Sequence, residues 1–272
     1  MVCSTGILSS SSNRGIVTEY TQASLYDTLG RLIPAAQADV DVGYWDSITP
    51  GVGSAARFLV TKGVCRSVLE GGITAINDTP TGYGGGGLLI PPTSAYCPDL
   101  YKGTFLLVYT TPSILVNYGF QPNYISRRDN FSNNAGGWWF SITRKLNFAY
   151  VGNGGSITEI YTPSVLNLSK RYVLAFRVRH LPDSLEVSHW INNTRYTSSM
   201  SVSEQFIMQE YTQPVTLGCV LNTTYDPLVA PSTLDAFSGG LSSIQYFGYD
   251  ESLASFSDID ARITRLRSTY NC

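Results

Sequence analysis

An all-β sandwich is the fold class that this sequence predicts, and three observations predict it. Only 14% of the 272 residues are charged, against roughly 25% in an average globular chain, while Tyr and Gly contribute 18 and 25 residues. From Ala55 onward the chain is a succession of short apolar runs separated by Gly, Pro, Asn and Asp, which is the punctuation of strands and turns. A hydrophobic content of 43% over this length fills one large core rather than two small ones.

The first 44 residues differ from the rest and are expected to form an N-terminal arm, leaving 45–272 as the sandwich domain. Residues 1–20 are Ser-rich and weakly patterned. In SLYDTLGRLI, Ser24 is an N-cap candidate, and Leu25, Leu29, Leu32 and Ile33 recur at helical spacing. A short helix is therefore expected there, weakened by Gly30 and stopped by Pro34. Packing of this arm on a neighbouring subunit and packing on its own domain are both compatible with the pattern.

The strand candidates follow in order: ARFLVTK, GTFLLVYTTP, GWWFSITRK, LNFAYVG, YVLAFRVRH, LEVSHWIN, PVTLGCVL and LSSIQYFGY. Between the first two lies TGYGGGGLLIPP, whose Gly84 to Gly87 run is followed by LLIPP. A phosphate-cradling loop needs a helix carrying Lys and Ser or Thr at that point, so a surface loop is expected instead. Alternation assigns faces within the strands. Trp138, Phe140 and Ile142 share one side, with Trp139, Ser141, Thr143 and Lys145 opposite. Tyr172, Leu174, Phe176 and Val178 share another, with Val173, Ala175, Arg177 and Arg179 opposite. Leu185, Val187, His189 and Ile191 lie together, against Glu186, Ser188 and Trp190.

The closing stretch FSGGLSSIQYFGYDESLASFSDID places Gly239 and Gly240 before a strand, then Leu253 after a polar loop, then Asp258 and Ile259 at the start of a helical turn or closing strand. Phe237, Leu241, Ile244 and the aromatic run Tyr246 to Tyr249 complete the pattern. It resembles the C-terminal signature of concanavalin A-like sandwiches, in particular their laminin-G-like branch. KRYVLAFRVRHLPDSLEVSHWINNTRY, with Asp183 in its turn and Asn192 and Asn193 in its hairpin, is similar to the paired central strands of that family, and PVTLGCV to the strand before its long loop. The resemblance covers residues 100 to 260 and extends toward 45. It implies a jelly roll of two antiparallel sheets, a fold shared by lectins, adhesion modules, glycan-cleaving enzymes and accessory domains of phage and virus particles. Fold alone does not choose among these.

Chemistry narrows the choice. Glycan hydrolysis needs two carboxylates about the scissile bond. The sequence has no alternating acidic set on a central strand, only DVD at Asp39 to Asp41 and DID at Asp258 to Asp260. The two histidines, His180 and His189, have no Ser or Cys elbow to activate, so no catalytic residue is expected. The five cysteines show no CxxC or Cys/His spacing and are expected as thiols rather than metal ligands. DNFSNN and NTTYD are rich in oxygen donors but lack the acidic density of a calcium loop, so neither a metal nor a cofactor is expected. The Asn-X-Ser/Thr triplets at Asn130, Asn167, Asn192 and Asn222 carry little weight without a secretory leader. A formal net charge of -2 offers no basic field for nucleic acid, and no apolar run is long enough for membrane insertion.

What remains is recognition. Trp139, Arg177, Arg179 and Trp190 are the candidate carbohydrate-binding residues, because sugars stack on indole rings while guanidinium groups hydrogen-bond their hydroxyls. Their face is either open to a glycan or covered by the arm or another subunit; the sequence leaves both open. The expected function is that of a non-enzymatic virion surface protein, a capsid decoration or fibre component made in the host cytoplasm, assembling with itself and other virion proteins and touching host glycans. The alternatives are a free lectin module and, after it, a glycan-active enzyme using Glu186.

Overall fold

The structure, a computed structural model, describes residues 16–61, 64–69, 72–76, 86–98, 103–113, 123–127, 137–142, 145–151, 157–181, 183–201, 213–221, 233–234, 239–248 and 256–272. Its architecture is the expected all-β jelly-roll sandwich of two antiparallel sheets, with one α-helix among the described residues. Sheet A contains β1 (Ile16–Tyr20), β5 (Val64–Val68), β6 (Gly72–Ile76), β8 (Gly103–Thr110), β13 (Arg171–Leu181), β14 (Ser184–Ile191), β15 (Thr194–Ser201) and β19 (Gly240–Gly248). Its order is β15-β14-β13-β8-β19-β6-β5, with β1 pairing beside β6 on β19. Sheet B contains β2 (Leu25–Asp27), β3 (Val42–Trp45), β4 (Phe58–Val60), β7 (Leu88–Ile90), β9 (Asn123–Arg127), β10 (Trp138–Ile142), β11 (Leu146–Val151), β12 (Ile157–Tyr161) and β16 (Val215–Leu217), in the order β12-β11-β10-β9-β16-β7-β4-β3-β2. A short ribbon pairs β17 (Val220–Leu221) with β18 (Thr233–Leu234).

The core is the row-by-row meeting of the two inner faces. On sheet A, Tyr246, Phe105, Phe176 and His189 stand in one register row. On sheet B the matching row runs Leu217, Ile125, Phe140, Phe148 and Ile160. Phe140 and Phe176 meet across the gap with ring centroids 4.0 Å apart, and Trp138 reaches Phe105 at 6.1 Å. All three inner-face sets read from alternation lie where expected, because a strand buried on one face must present every second side chain to it.

His189 is the polar member of this core. It sits edge-on to Phe140 and Phe176, at 6.2 and 5.6 Å, and its Nε2 has no hydrogen-bond partner among the described residues. Burial pushes its pKa down from 6.5 to about 3, because the imidazolium would lose its hydration with no counter-charge in return.

The segment expected as an arm with a helix is, from Ile16 onward, part of the sandwich. β1 pairs antiparallel with β19, and β2 and β3 extend sheet B. The buried Tyr20 hydroxyl donates to the Ala56 carbonyl at 2.7 Å, and Trp45 Nε1 donates to the Thr21 carbonyl at 2.8 Å. Asp27 explains why no helix forms over Ser24 to Ile33. Its carboxylate accepts from the Leu29 and Arg31 backbone N–H groups at 2.9 and 2.8 Å, so the side chain offers the backbone a turn in place of a helix. Gly30 completes the turn at φ +75, and the Ile33 N–H returns to the Leu25 carbonyl. Of the four helix-spaced apolar residues, Leu25 and Ile33 are buried, whereas Leu29 and Leu32 are 73% and 52% exposed.

At the other end of the chain, the glycine pair before β19 has a steric origin. Gly239 has φ +95, and a Cβ there would stand 2.3 Å from the Thr110 carbonyl oxygen. Gly84 and Gly85, like Phe237, Tyr249 and Leu253 of the closing signature, lie outside the described residues. So do the oxygen-rich stretches beginning at Asp129 and Asn222. The tail forms helix α1 (Phe256–Tyr270), which lays Ile259, Ile263 and Leu266 on the outer face of sheet A, against Leu106, Val108, Val173, Ala175, Trp190 and Phe247.

A pH prediction follows from His189. Between about pH 6.5 and 3 the unfolded chain binds a proton that the folded chain excludes, so stability is fully present above the unfolded pKa and falls as pH drops through this window. The full difference is about 5 kcal/mol, at about 1.4 kcal/mol per unit. In urea titrations, His189→Leu should lose less stability than the wild type between pH 7 and 4; parallel losses would contradict the assignment.

Candidate functional site

The four residues singled out from sequence do not share one open face. Arg177, Arg179 and Trp190 lie on the outer face of sheet A, whereas Trp139 lies on the outer face of sheet B, opposite Ser126 and Ala149 in register. Both tryptophans are buried, and so is Arg177; Arg179 is exposed. Helix α1 is what covers Trp190. The indole Nε1 donates to Asp260 at 2.9 Å, Phe256 lies 5.9 Å from the ring, and the guanidinium groups of Arg177 and Arg195 sit 5.0 and 3.9 Å from the Phe256 ring centre. Of the two alternatives left open by the sequence, a covered face is the one seen on sheet A. The cover over Trp190 is the C-terminal helix.

The candidate binding surface is instead the margin of sheet B built from β2, β3 and β4. One register row on its outer face runs Tyr26, Tyr44, Leu59 and Leu89, and the bridge between Tyr26 and Leu32 extends it past the strand edge. The Tyr26 and Tyr44 rings stack at 4.8 Å with an interplanar angle of 20°. The Arg57 guanidinium carbon lies 3.8 Å from the Tyr44 ring centre. Arg57 is fixed by a two-point ion pair, Nε and Nη2 donating to the two Asp46 oxygens at 2.6 and 2.9 Å. The Asp46 bond raises the guanidinium pKa further, so the cation is permanent. Leu59 is 42% exposed, and Tyr26, Tyr44 and Arg57 are all half-buried.

Sequence explains why these groups converge. The fold must bury Leu25, Trp45 and Phe58, which pair across β2, β3 and β4 on the inner face. Their neighbours Tyr26, Tyr44, Arg57 and Leu59 are therefore left outside. A phenol stack beside a fixed planar cation can pack the C–H face of a sugar ring, accept and donate hydrogen bonds to its hydroxyls, and do so with little loss of side-chain freedom. The same groups are frequent anchors of protein interfaces. Sequence reasoning missed this site because Tyr26 was assigned to a helix. The alternation in VGYW and RFLV was the available signal.

Other chemistry finds less support. Among the described residues no group of three or more His, Cys, Asp or Glu side chains is placed to hold a metal ion. No helix among them is long and apolar enough to cross a membrane. His189 is sealed in the core and uncharged near neutral pH, so it is not a base that a substrate can reach. Cys65 is buried and its thiol is pushed up to about 12, which makes it an inert core residue.

No family model matches the chain, and no curated protein matches it in sequence. Among solved structures it is similar to the botulinum neurotoxin serotype D binding domain, with a TM-score of 0.54 at 9% identity over 93% of this chain and 51% of that one. The serotype G binding domain gives 0.52 at 11% identity over 93% and 52%. The chain thus spans about half the length of these domains. The CBM40 of Ruminococcus gnavus IT-sialidase aligns with 61% of this chain and 94% of its own, at 14% identity and a TM-score of 0.42. Likeness at such identities shows the β-sandwich fold alone.

The covered position of Trp190 makes a testable distinction between a structural and a ligand-binding role. Trp190→Phe removes the donor to Asp260 and should cost about 1–2 kcal/mol of stability in denaturant titration, with glycan binding unchanged. Loss of binding at full stability would return Trp190 to the site.

Proposed function

We propose that this chain is a non-enzymatic carbohydrate-binding sandwich module whose site is the Tyr26–Tyr44–Arg57 margin of sheet B. The observation that carries the reading is the stacked, half-buried phenol pair capped by a guanidinium that Asp46 holds in place. Such a surface combines apolar stacking area with fixed polar groups, which is what a sugar presents in complement.

The proposed setting is the surface of a phage or virus particle, as a capsid decoration or fibre component of the laminin-G-like kind. It is supported by the Tyr-, Ser- and Gly-rich, weakly charged composition. The exposed leucines favour a second reading of the same margin. Leu29, Leu32 and Leu59 flank the tyrosines, and a protein partner, another copy or a second virion protein, would bury them.

The two readings separate in one set of variants. On a glycan array, the full chain should bind a restricted set of glycans. Tyr44→Ala should weaken that binding about tenfold or more, the order of one lost stacking anchor, with the fold intact by circular dichroism. A Leu29→Ser, Leu32→Ser chain should keep it. If the leucine changes instead alter the molar mass in solution and no glycan binds, the margin is a protein interface and the carbohydrate reading fails.

A further inference from the structure

The opposite margin of sheet B carries a second cluster that the proposed site does not use. On the outer face of β12, Glu159 and Tyr161 are two residues apart and therefore point the same way. The Tyr161 hydroxyl donates to Glu159 Oε2 at 2.7 Å. From the neighbouring strand, Asn147 Nδ2 donates to Glu159 Oε1 at 3.2 Å. Asn147 is fully buried, whereas Glu159 is exposed and Tyr161 is 43% exposed. Trp139 belongs to the same surface: it is paired with Ala149, which is itself paired with Glu159.

We infer that this cluster is a second sugar-binding site, specific for a neutral hexose that donates two neighbouring hydroxyls to Glu159. Each carboxylate oxygen has about two acceptor positions, and the bonds from Asn147 and Tyr161 occupy one on each. Glu159 is exposed, so its remaining positions are open to a ligand, and donors on two different strands orient the carboxylate. A pair of vicinal hydroxyls supplies two donors at matching separation, and the exposed Tyr161 ring gives the sugar's C–H face a surface to rest on. A metal ion is a poorer occupant. Both oxygens already accept from donors, and a hard cation needs six or more oxygen ligands, for which this cluster offers one carboxylate.

The inference rests on carbohydrate being the ligand class, but it concerns a different site. The two margins are separated by the seven strand spacings from β12 to β3, roughly 34 Å along the sheet. Two sites at that distance make the module bivalent toward a branched or polymeric glycan, so that weak individual sites act together on a multivalent surface.

The experiment is an amide chemical-shift titration of the full chain with lactose, maltose and cellobiose, repeated for Glu159→Gln and Tyr44→Ala. At least one disaccharide should shift the Asn147 and Tyr161 amides. Glu159→Gln should weaken that response about tenfold, the order of a lost charge-assisted acceptor, while Tyr44→Ala leaves it unchanged. Shifts confined to the Tyr44 margin would overturn the second site and leave the proposed one standing. Shifts confined to Asn147 and Tyr161 would support the second site and remove the first. No shift at either margin with any of the three sugars, or an Asn147 response indifferent to Glu159→Gln, overturns the inference.

Discussion

The contact between Phe140 and Phe176 is the constraint on which the rest of this structure depends. Each ring stands on the inner face of the third strand from its sheet's edge, and their 4.0 Å centroid separation fixes how closely the sheets approach there. Phe148, Trp138, Phe105 and Tyr246 then pack around the pair. Burying each such ring contributes about 2–3 kcal/mol, and close packing makes the gap intolerant of a missing or added methylene. His189 is accommodated in that gap only as the neutral imidazole. The register of the strands that carry these rings follows, because a one-residue slip there would turn an aromatic ring outward.

Once the inner faces are fixed, so is what remains outside, and the two outer faces are treated differently. On sheet A the central strands carry Leu106, Val108, Val173 and Ala175 outward, an apolar stripe that water disfavours; helix α1 covers it. The Asp260–Trp190 and Arg171–Tyr270 hydrogen bonds fasten the helix near its two ends. On sheet B the β2–β4 margin keeps its aromatic and leucine side chains accessible. β2 is an edge strand, yet its free edge is closed by the turn that Asp27 organises, which limits strand-to-strand aggregation while leaving the phenol stack at the surface. Edge protection thus comes from the same nine residues, Leu25 to Ile33, that carry Tyr26.

Much of the fold was legible in the sequence, and the reasons are specific. WWFSI, YVLAFRV and LEVSHWI alternate over five to seven residues, long enough for the period of two to identify the inner face. The order of the closing signature identified β19, and Gly239 and Gly240 marked its entry. The N-terminal region misled because Leu25, Leu29, Leu32 and Ile33 fit a helical period by coincidence. The competing signals, Asp27 as a backbone acceptor and Gly30 in left-handed conformation, act over four residues and are invisible to a periodicity count. The four residues named from sequence fall on two faces for a related reason. Alternation states that Trp190 and Trp139 point away from the core, but it cannot state that a helix from the chain terminus returns to cover one of them, nor that the two strands belong to different sheets. Tyr26, Tyr44 and Arg57 come together only through β2–β3–β4 pairing, which short strands of three or four residues do not announce.

The central claim is that sheet B's margin, and not the helix-covered face of sheet A, meets the glycan. Hydrogen–deuterium exchange with and without the strongest glycan from an array tests it most directly. The account predicts slowed exchange in Val42–Trp45 and Phe58–Val60, with β13, β14 and α1 unchanged. Protection centred on β14 and α1, with the β3 and β4 peptides unaffected, would contradict it.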